Sequence, residues 1–229
     1  MSAYRYAITD IHGCAQTFRA LVTSGIELTK KDQLFLLGDY IDRGPDSKGV
    51  FDFIFELKSE GYQVHCLKGN HEEMMLRSLT SETQNSHWKR HGGTTTLNSF
   101  GVQTVQSIPG RYIEFIRSLD HYHLLEDYIL VHAGLNFRSS APLEDTESML
   151  WIRPWDVQVD LEWLAGRIIL HGHTPVDQGV IEYQLAHRQE IGLLDLDNGC
   201  FRTAEPGKGQ LCAFNLDTQA LFFQPNIDT

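Results

Sequence analysis

The sequence predicts an α/β fold of the α+β kind, in which two mixed β-sheets pack as a sandwich flanked by helices. Its first third alternates short apolar strand signals with amphipathic helix signals, a pattern typical of a largely parallel sheet. Strand signals return in the second half, where the last two lie close enough together to predict a β-meander. The 229 residues, of which 41% are hydrophobic, suffice for one sizeable core, so we predict a single domain over residues 1–229.

The first two predicted helices have recognisable boundaries. The first ends just before Gly25, and the second begins at Ser47, whose hydroxyl is expected to cap the free N–H groups of the first turn. Apolar residues recur at helical spacing through the second helix, and Gly61 ends it. The accompanying strands are predicted from short apolar runs at residues 4–9, 34–37 and 63–67.

Residues 80–119 interrupt this alternation. The segment is polar at first, then contains Gly92 and Gly93, and then carries two short helix signals at residues 94–99 and 111–119. We therefore predict a helical insertion beside the sheet, and we expect it to contribute to substrate specificity. Further strands are predicted at residues 128–132, 168–171, 191–195, 211–216 and 220–223.

Charge and composition disfavour several classes of protein. A net charge of −11 disfavours a nucleic-acid partner, because an acidic surface repels a phosphate backbone. The sequence has no apolar run long enough to span a membrane and shows no signal peptide. Its four cysteines form no C-x-x-C pair, which is typical of reduced thiols. These features together predict a cytoplasmic protein without a membrane partner.

Five short polar clusters contain most of the candidate functional residues, and each follows a predicted strand directly. Because the carboxyl ends of strands in α/β sheets are where ligands bind, we expect these clusters to converge in space. The clusters are Asp10-Ile11-His12-Gly13, Gly38-Asp39-Tyr40-Ile41-Asp42-Arg43-Gly44, Gly69-Asn70-His71-Glu72, His132-Ala133-Gly134 and His171-Gly172-His173-Thr174.

The residue types in these clusters suit a site for divalent metals. Asp, Asn and His are metal ligands, and glycine lets the backbone turn sharply and lets a phosphate approach. Each cluster alone is compatible with a turn, a helix cap or a buried histidine. Their joint occurrence at five strand ends favours a site in which two metals activate water and neutralise a phosphate.

These clusters resemble the motifs of the metallophosphoesterases, and within them those of the phosphoprotein phosphatase family. The resemblance covers Tyr4 to Asn198 and is closest to the bacterial and bacteriophage-lambda-type serine/threonine phosphatases. It implies the calcineurin-like metallophosphoesterase fold. Thr9 departs from the usual glycine before the first Asp, and Ala133 replaces a common glycine. We expect neither change to affect the chemistry of the site.

The resemblance implies two divalent metal ions, with manganese as the expected metal and iron or zinc as alternatives. It assigns the first metal to Asp10, His12 and Asp39, and the second to Asp39, Asn70, His132 and His173. Asp39 would then bridge the two metals, together with a hydroxide that attacks phosphorus directly.

Four further residues receive roles from the same resemblance. His71 corresponds to a general acid that protonates the leaving oxygen, and Asp42 would hold its ring in place. Arg43 and Arg153 would bind the phosphate in bidentate fashion, next to Asn70. His171 receives no direct role.

The function implied is hydrolysis of phosphoserine or phosphothreonine monoesters, extending to phosphotyrosine, on a phosphorylated protein substrate. One alternative is a dinucleoside-tetraphosphate hydrolase. Glu72, where those enzymes tend to have Asp, and the chain length favour the protein phosphatase. A second alternative is a metal-containing regulatory module without catalysis. The sequence does not determine the oligomeric state, for which we expect a monomer.

Overall fold

The computed structural model describes residues 3–153 and 158–228, in which short strands alternate with helices. The strands are β1 (Arg5–Ile8), β2 (Gln33–Leu36), β3 (Gln63–Cys66), β4 (Tyr122–Leu124), β5 (Tyr128–Val131), β6 (Ile168–His171), β7 (Leu193–Asp195), β8 (Gln210–Asn215) and β9 (Leu221–Pro225). The helices are α1 (Ala15–Ala20), α2 (Ser47–Ser59), α3 (Asn70–Ser78), α4 (Glu82–Trp88), α5 (Thr94–Ser99), α6 (Gly110–Arg117), α7 (Thr146–Trp151), α8 (Leu161–Leu164) and α9 (Gln178–Ile191).

The strands form two mixed sheets, which confirms the predicted fold class. The first sheet has the order β3-β2-β1-β8-β9, with β1, β2 and β3 parallel and the β8-β9 meander antiparallel. The second sheet has the order β4-β5-β6-β7, in which only β4 is antiparallel to its neighbour. All five polar clusters therefore follow parallel strands.

Alternation of side chains along the strands builds three apolar layers. In β1, Ala7 packs in the cluster shared by the two sheets, whereas Ile8 packs beneath the helices outside the first sheet. In β5, Leu130 lies in the shared cluster and Val131 faces the helices outside the second sheet. All four are fully buried. Both faces of each sheet are thus covered, as is typical of sheets with parallel strands.

The structure corrects several local predictions. Ser47 is the first residue of α2 and Asp46 is the cap, accepting a hydrogen bond from the N–H of Gly49 at 2.8 Å. The predicted strand 191–195 begins at Leu193, because Ile191 is the last residue of α9. The polar start of the 80–119 segment is helix α4. In the described part of the chain no helix has the length and apolarity to cross a membrane, and all four cysteines are buried free thiols.

Two histidines join the outer edges of the two sheets. His65 on β3 stacks on Phe35 with ring centroids 4.8 Å apart, and the ring of His123 on β4 packs against the same phenyl group at 5.7 Å. The two imidazoles are 5.8 Å apart. Burial, helped by Lys58, lowers the pKa of His65, and burial together with His65 lowers the pKa of His123.

This histidine pair predicts a loss of stability in acid. The unfolded chain binds more protons than the folded chain below about pH 6.5, so the free energy of unfolding falls as the pH drops through that value. In His65→Phe, which keeps the stacking on Phe35, we expect a shallower decline between about pH 7.5 and about pH 5.5. Urea titrations across this range measure the effect. An unchanged pH dependence would show that His65 does not contribute to it.

Candidate metal centre

The predicted site residues meet where the parallel strands of the two sheets end. Residues as far as 163 positions apart in the sequence are in contact there. For example, the backbone N–H of His173 donates a 3.0 Å hydrogen bond to Oδ2 of Asp10. Nine of the ten predicted residues cluster at this point, and Arg153 reaches in from the rim, where it contacts the backbone of His173. The residues brought together are Asp10, His12, Asp39, Asp42, Arg43, Asn70, His71, His132 and His173.

Four ligand atoms converge on one point of this centre. Nε2 of His132 lies 3.0 Å from Oδ1 of Asn70 and 3.2 Å from Nδ1 of His173. Nδ1 of His173 lies 2.9 Å from Oδ1 of Asn70, and Nε2 of His132 lies 3.5 Å from Oδ1 of Asp39. Metal–ligand bonds of about 2.1 Å place neighbouring ligand atoms about 3.0–3.4 Å apart, so this group has the dimensions of a metal site.

Several hydrogen-bond acceptors face one another in this group, so their lone pairs repel unless a cation binds between them. Nδ1 of His132 lies 3.0 Å from the carbonyl oxygen of Leu37, which fixes the proton on Nδ1 and leaves a lone pair on Nε2. That lone pair points at the carbonyl oxygen of the Asn70 amide and at a carboxylate oxygen of Asp39, and all three are acceptors. A divalent cation satisfies all of them at once. The residues therefore fit a metal at this position.

A second group of ligand atoms shares Asp39. Nε2 of His12 lies 3.5 Å from Oδ2 of Asp39 and 3.9 Å from Oδ1 of Asp10. That Asp10 oxygen is buried and has no hydrogen-bond partner among the described residues. Nε2 of His71 lies 3.9 Å from the same Asp39 oxygen. Each carboxylate oxygen of Asp39 thus faces a different group, which fits a bridging ligand. That Asp10 and not His71 completes this group remains a prediction.

The backbone adopts rare conformations to bring these side chains together. Positive φ angles cost a non-glycine residue about 1 kcal/mol or more, and they persist where the surrounding structure imposes them. Those found in the centre are Asp10 (φ 49°), His12 (φ 46°), Asp39 (φ 54°), Asp42 (φ 70°), Arg43 (φ 68°) and His173 (φ 75°). A side chain at Gly69 would place its Cβ 2.2 Å from Oδ1 of Asp39. Only glycine permits this approach of the backbone to the ligand.

Glu72 joins two of the loops that carry ligands. Its carboxylate is fully buried and accepts hydrogen bonds of 2.9 Å from the backbone N–H groups of Asp39, Tyr40 and Gly69. Burial raises the pKa of Glu72 to about 7, and these hydrogen bonds oppose the rise. Glu72 thereby fixes the loop after β2 against the start of α3.

The ring of His71 is held by a network centred on Asp42. Oδ2 of Asp42 accepts hydrogen bonds from Nδ1 of His71 at 2.6 Å and from Nε1 of Trp88 at 2.9 Å. Oδ1 accepts one from the hydroxyl of Thr96 at 2.6 Å. Burial raises the pKa of Asp42 to about 7, although the Thr96 and Trp88 hydrogen bonds lower it. The network turns Nε2 of His71 toward the metal groups.

Arg43 and Arg153 frame the opening of the centre. Arg43 donates from Nη1 to Nε2 of His12 at 2.9 Å and from Nη2 to Nε2 of His71 at 3.0 Å. Its guanidinium lies 4.5 Å from the ring centroid of Phe201, which covers its other side. Arg153 donates from Nη2 to the carbonyl oxygen of His173 at 2.7 Å. Both guanidinium groups thus lie where they could bind an anion at the opening of the centre.

Burial strongly shifts the pKa values of the titratable side chains in the centre. Burial raises the pKa of Asp39 well above its usual range, and the neighbouring carboxylates of Asp10 and Glu72 add to the rise. Burial lowers the pKa of His12 well below its usual range, with Arg43 as the second cause. A neutral His12 imidazole is able to bind metal. Crowded carboxylates are stabilised in their charged form when a cation binds between them.

Several contributing residues were not assigned by the sequence analysis. The hydroxyl of Thr9, whose change from glycine was discounted, donates a short hydrogen bond to Oδ2 of Asp10. Trp88 and Thr96 hold Asp42, and Phe201 supports Arg43. The role of Trp88 had one signal in the sequence, the glycine pair that follows it. A side chain at Gly93 would collide with the indole ring of Trp88. No comparable signal marks Phe201.

The sequence of this chain is similar to those of two bis(5'-nucleosyl)-tetraphosphatases. A symmetrical bis(5'-nucleosyl)-tetraphosphatase of Nitrosospira multiformis is 33% identical over 132 residues, which are 57% of this chain and 43% of that protein. An asymmetrical bis(5'-nucleosyl)-tetraphosphatase of Bacillus mycoides is 26% identical over 197 residues, covering 75% of this chain and 78% of that protein. The chain thus matches less than half the length of the first relative.

Solved structures and a family profile extend these similarities to the whole fold. A serine/threonine phosphatase structure from Saccharomyces cerevisiae superposes with a TM-score of 0.66 at 16% identity, covering 97% of this chain and 79% of that one. At this identity the similarity concerns the fold alone. The profile described as calcineurin-like phosphoesterase matches residues 6–196, which include every predicted site residue. The chain therefore belongs to the calcineurin-like phosphoesterase family.

Proposed function

We propose that this chain hydrolyses dinucleoside tetraphosphates by attack of water on phosphorus at the metal centre. The observation that carries the reaction type is the convergence of acceptor atoms from Asn70, His132 and Asp39 beside Arg43. Divalent cations bound there would lower the pKa of water to about 7 and neutralise the phosphate. Support for the substrate comes from relatives named as bis(5'-nucleosyl)-tetraphosphatases. This proposal reverses the order of the sequence analysis, which placed the protein phosphatase first.

The chain's own residues supply binding and proton transfer. Arg43 and Arg153 bind the phosphate oxygens, and the phenyl ring of Phe201 keeps the Arg43 guanidinium in one plane. His71, when its ring is protonated, delivers a proton from Nε2 to the leaving oxygen, and Arg43, which contacts that nitrogen here, turns to the phosphate. Asp42 stabilises the ring because its carboxylate accepts the Nδ1 hydrogen at 2.6 Å.

Glu72 no longer favours a protein phosphatase. The sequence analysis took this glutamate as a sign of that substrate class. In the structure its carboxylate is occupied by the N–H groups of Asp39, Tyr40 and Gly69 and faces the loops rather than the opening. A glutamate at position 72 is therefore explained by its role in joining the two loops, and it does not indicate the substrate. The protein phosphatase remains a second candidate, supported by the fold similarity to a serine/threonine phosphatase.

A side-by-side assay with added manganese tests the proposal. We expect kcat/KM for diadenosine tetraphosphate to exceed that for a phosphoserine peptide by about a hundredfold or more, equivalent to about 2.7 kcal/mol. The inactive variant Asp39→Asn provides the background for both substrates. The reverse preference would support the second candidate. Absence of turnover on both substrates and on p-nitrophenyl phosphate would support a regulatory module without catalysis.

A further inference from the structure

One stretch of this acidic protein has no acidic residue. The chain contains 30 Asp and Glu against 19 Lys and Arg, yet no Asp or Glu occurs between Glu82 and Glu114. Within this stretch, Lys89–Gly93 forms a turn that is kinked at Gly92, between α4 and α5, which we call the basic turn. Within residues 3–153 and 158–228, neither Lys89 nor Arg90 forms an ion pair with a carboxylate. Their charges are therefore available to an anionic ligand.

The basic turn is fixed against the residues that frame the metal centre. A Cβ added to Gly92 would lie 2.7 Å from the backbone nitrogen of Arg43 and 3.0 Å from Cβ of Asp42, so the two backbones are in direct contact. Gly92 has φ 117°, a conformation that side chains rarely adopt. Immediately before the turn, Trp88 is anchored by its hydrogen bond to Asp42.

His87 and His91 pack against each other beside the two basic side chains of the turn. Their ring centroids are 4.2 Å apart, and Nδ1 of His91 lies 2.9 Å from the carbonyl oxygen of His87. The turn lies directly beside Arg43.

This arrangement suits a substrate with more than one phosphate. A phosphate monoester places all of its charge between the cations, Arg43 and Arg153, whereas a polyphosphate continues beyond the scissile phosphorus. We propose that the basic turn is a second anion subsite, in which Lys89 and Arg90 bind a non-scissile phosphate of a polyphosphate substrate. Arginine binds phosphate through paired N–H groups and lysine as a point charge. This inference rests on the proposed function. It explains how the centre would select polyphosphates over phosphate monoesters.

The double variant Lys89→Ala/Arg90→Ala tests the subsite. We expect its kcat/KM for diadenosine tetraphosphate, divided by that for p-nitrophenyl phosphate, to fall by about tenfold or more, mainly through KM. The matched control is Lys30→Ala/Lys31→Ala, which removes an adjacent pair of basic residues far from the centre and should keep the ratio unchanged. Metal content and thermal unfolding show whether each variant folds. An unchanged ratio, or the same fall in the control, would contradict the subsite.

A second measurement separates this proposal from the proposed function. AMP and ADP, which differ by one phosphate, are compared as competitive inhibitors of p-nitrophenyl phosphate hydrolysis in excess manganese. In the unaltered protein we expect ADP to bind more tightly than AMP, and Lys89→Ala/Arg90→Ala should reduce this difference by about tenfold. Such a reduction supports the subsite even if diadenosine tetraphosphate proves a poor substrate. If the difference between ADP and AMP is the same in both proteins, the subsite is wrong whatever the substrate.

Discussion

Replacing Asp39 with Asn is expected to lower kcat on every phosphoester by about a thousandfold, equivalent to about 4 kcal/mol, and to release bound metal. The reason is that Asp39 is shared by both groups of ligand atoms. Oδ1 lies 3.5 Å from Nε2 of His132, and Oδ2 lies 3.5 Å from Nε2 of His12. An amide offers one oxygen and no negative charge, so cations held by the two groups would lose their shared ligand. Elemental analysis and p-nitrophenyl phosphate turnover measure the two effects.

Asp32→Asn is the matched control for loss of a buried carboxylate. Asp32 is also buried and accepts hydrogen bonds from the backbone N–H groups of Tyr4 and Thr29, both at 2.8 Å, but it lies outside the centre. We expect this variant to unfold at a lower temperature while its metal content and kcat stay the same. Full activity and metal content in Asp39→Asn would show that the cations do not share this residue.

The ligand residues could be predicted from the sequence because their signal is local. Asp10, Asp39, Asn70 and His132 each follow a parallel strand, and the strands themselves are marked by short apolar runs. Parallel strands in one sheet place their carboxyl ends on the same edge. The order of the clusters along the chain thus contains enough information to predict their convergence. It does not contain the distances between them.

Residues that support the ligands were harder to predict because their partners are distant in sequence. Trp88 and Thr96 contact Asp42 across separations of 46 and 54 residues. Their segment was expected to contribute to specificity, and the structure adds that it holds the partner of His71. Neither a tryptophan nor a threonine in a polar segment indicates such a contact. Only the tertiary fold brings these side chains to the carboxylate.

Helices without an apolar face were also missed. In α9 only Ile181 is buried, so its sequence lacks the periodicity from which helices are predicted. At the start of α3 a helix cap was only one interpretation of the sequence; the structure makes Gly69 the cap and buries the polar side chains of Asn70, His71 and Glu72. Burial of polar side chains makes this helix hard to predict from hydrophobicity, and the same buried side chains form the site. Local and global preferences disagree here, as is expected at functional positions.

Replacing His71 with Asn should separate proton transfer from metal binding. We expect the variant to keep its metals and to lose about a thousandfold in kcat on a phosphoserine peptide, because an alkoxide leaves slowly without a proton. On p-nitrophenyl phosphate and on diadenosine tetraphosphate the loss should be about tenfold, since aryloxide and nucleoside diphosphate are better leaving groups. A uniform loss across the three substrates would contradict the role of general acid.

Metal content decides between the two roles that geometry permits for His71. Its Nε2 lies 3.9 Å from Oδ2 of Asp39, close enough for His12, Asp39 and His71 to form a ligand group. If His71 is a ligand, the Asn variant loses metal. If it is the acid, Asp42→Asn should reproduce part of the same leaving-group dependence with the metals retained, because it weakens the 2.6 Å contact that orients the ring. Trp88→Phe, which removes a weaker hydrogen bond to the same carboxylate, should show this dependence to a smaller degree. If the loss of activity decreases in the order His71→Asn, Asp42→Asn, Trp88→Phe while the metals are retained, His71 delivers the proton. If His71 is a ligand, the loss of activity would instead parallel the loss of metal.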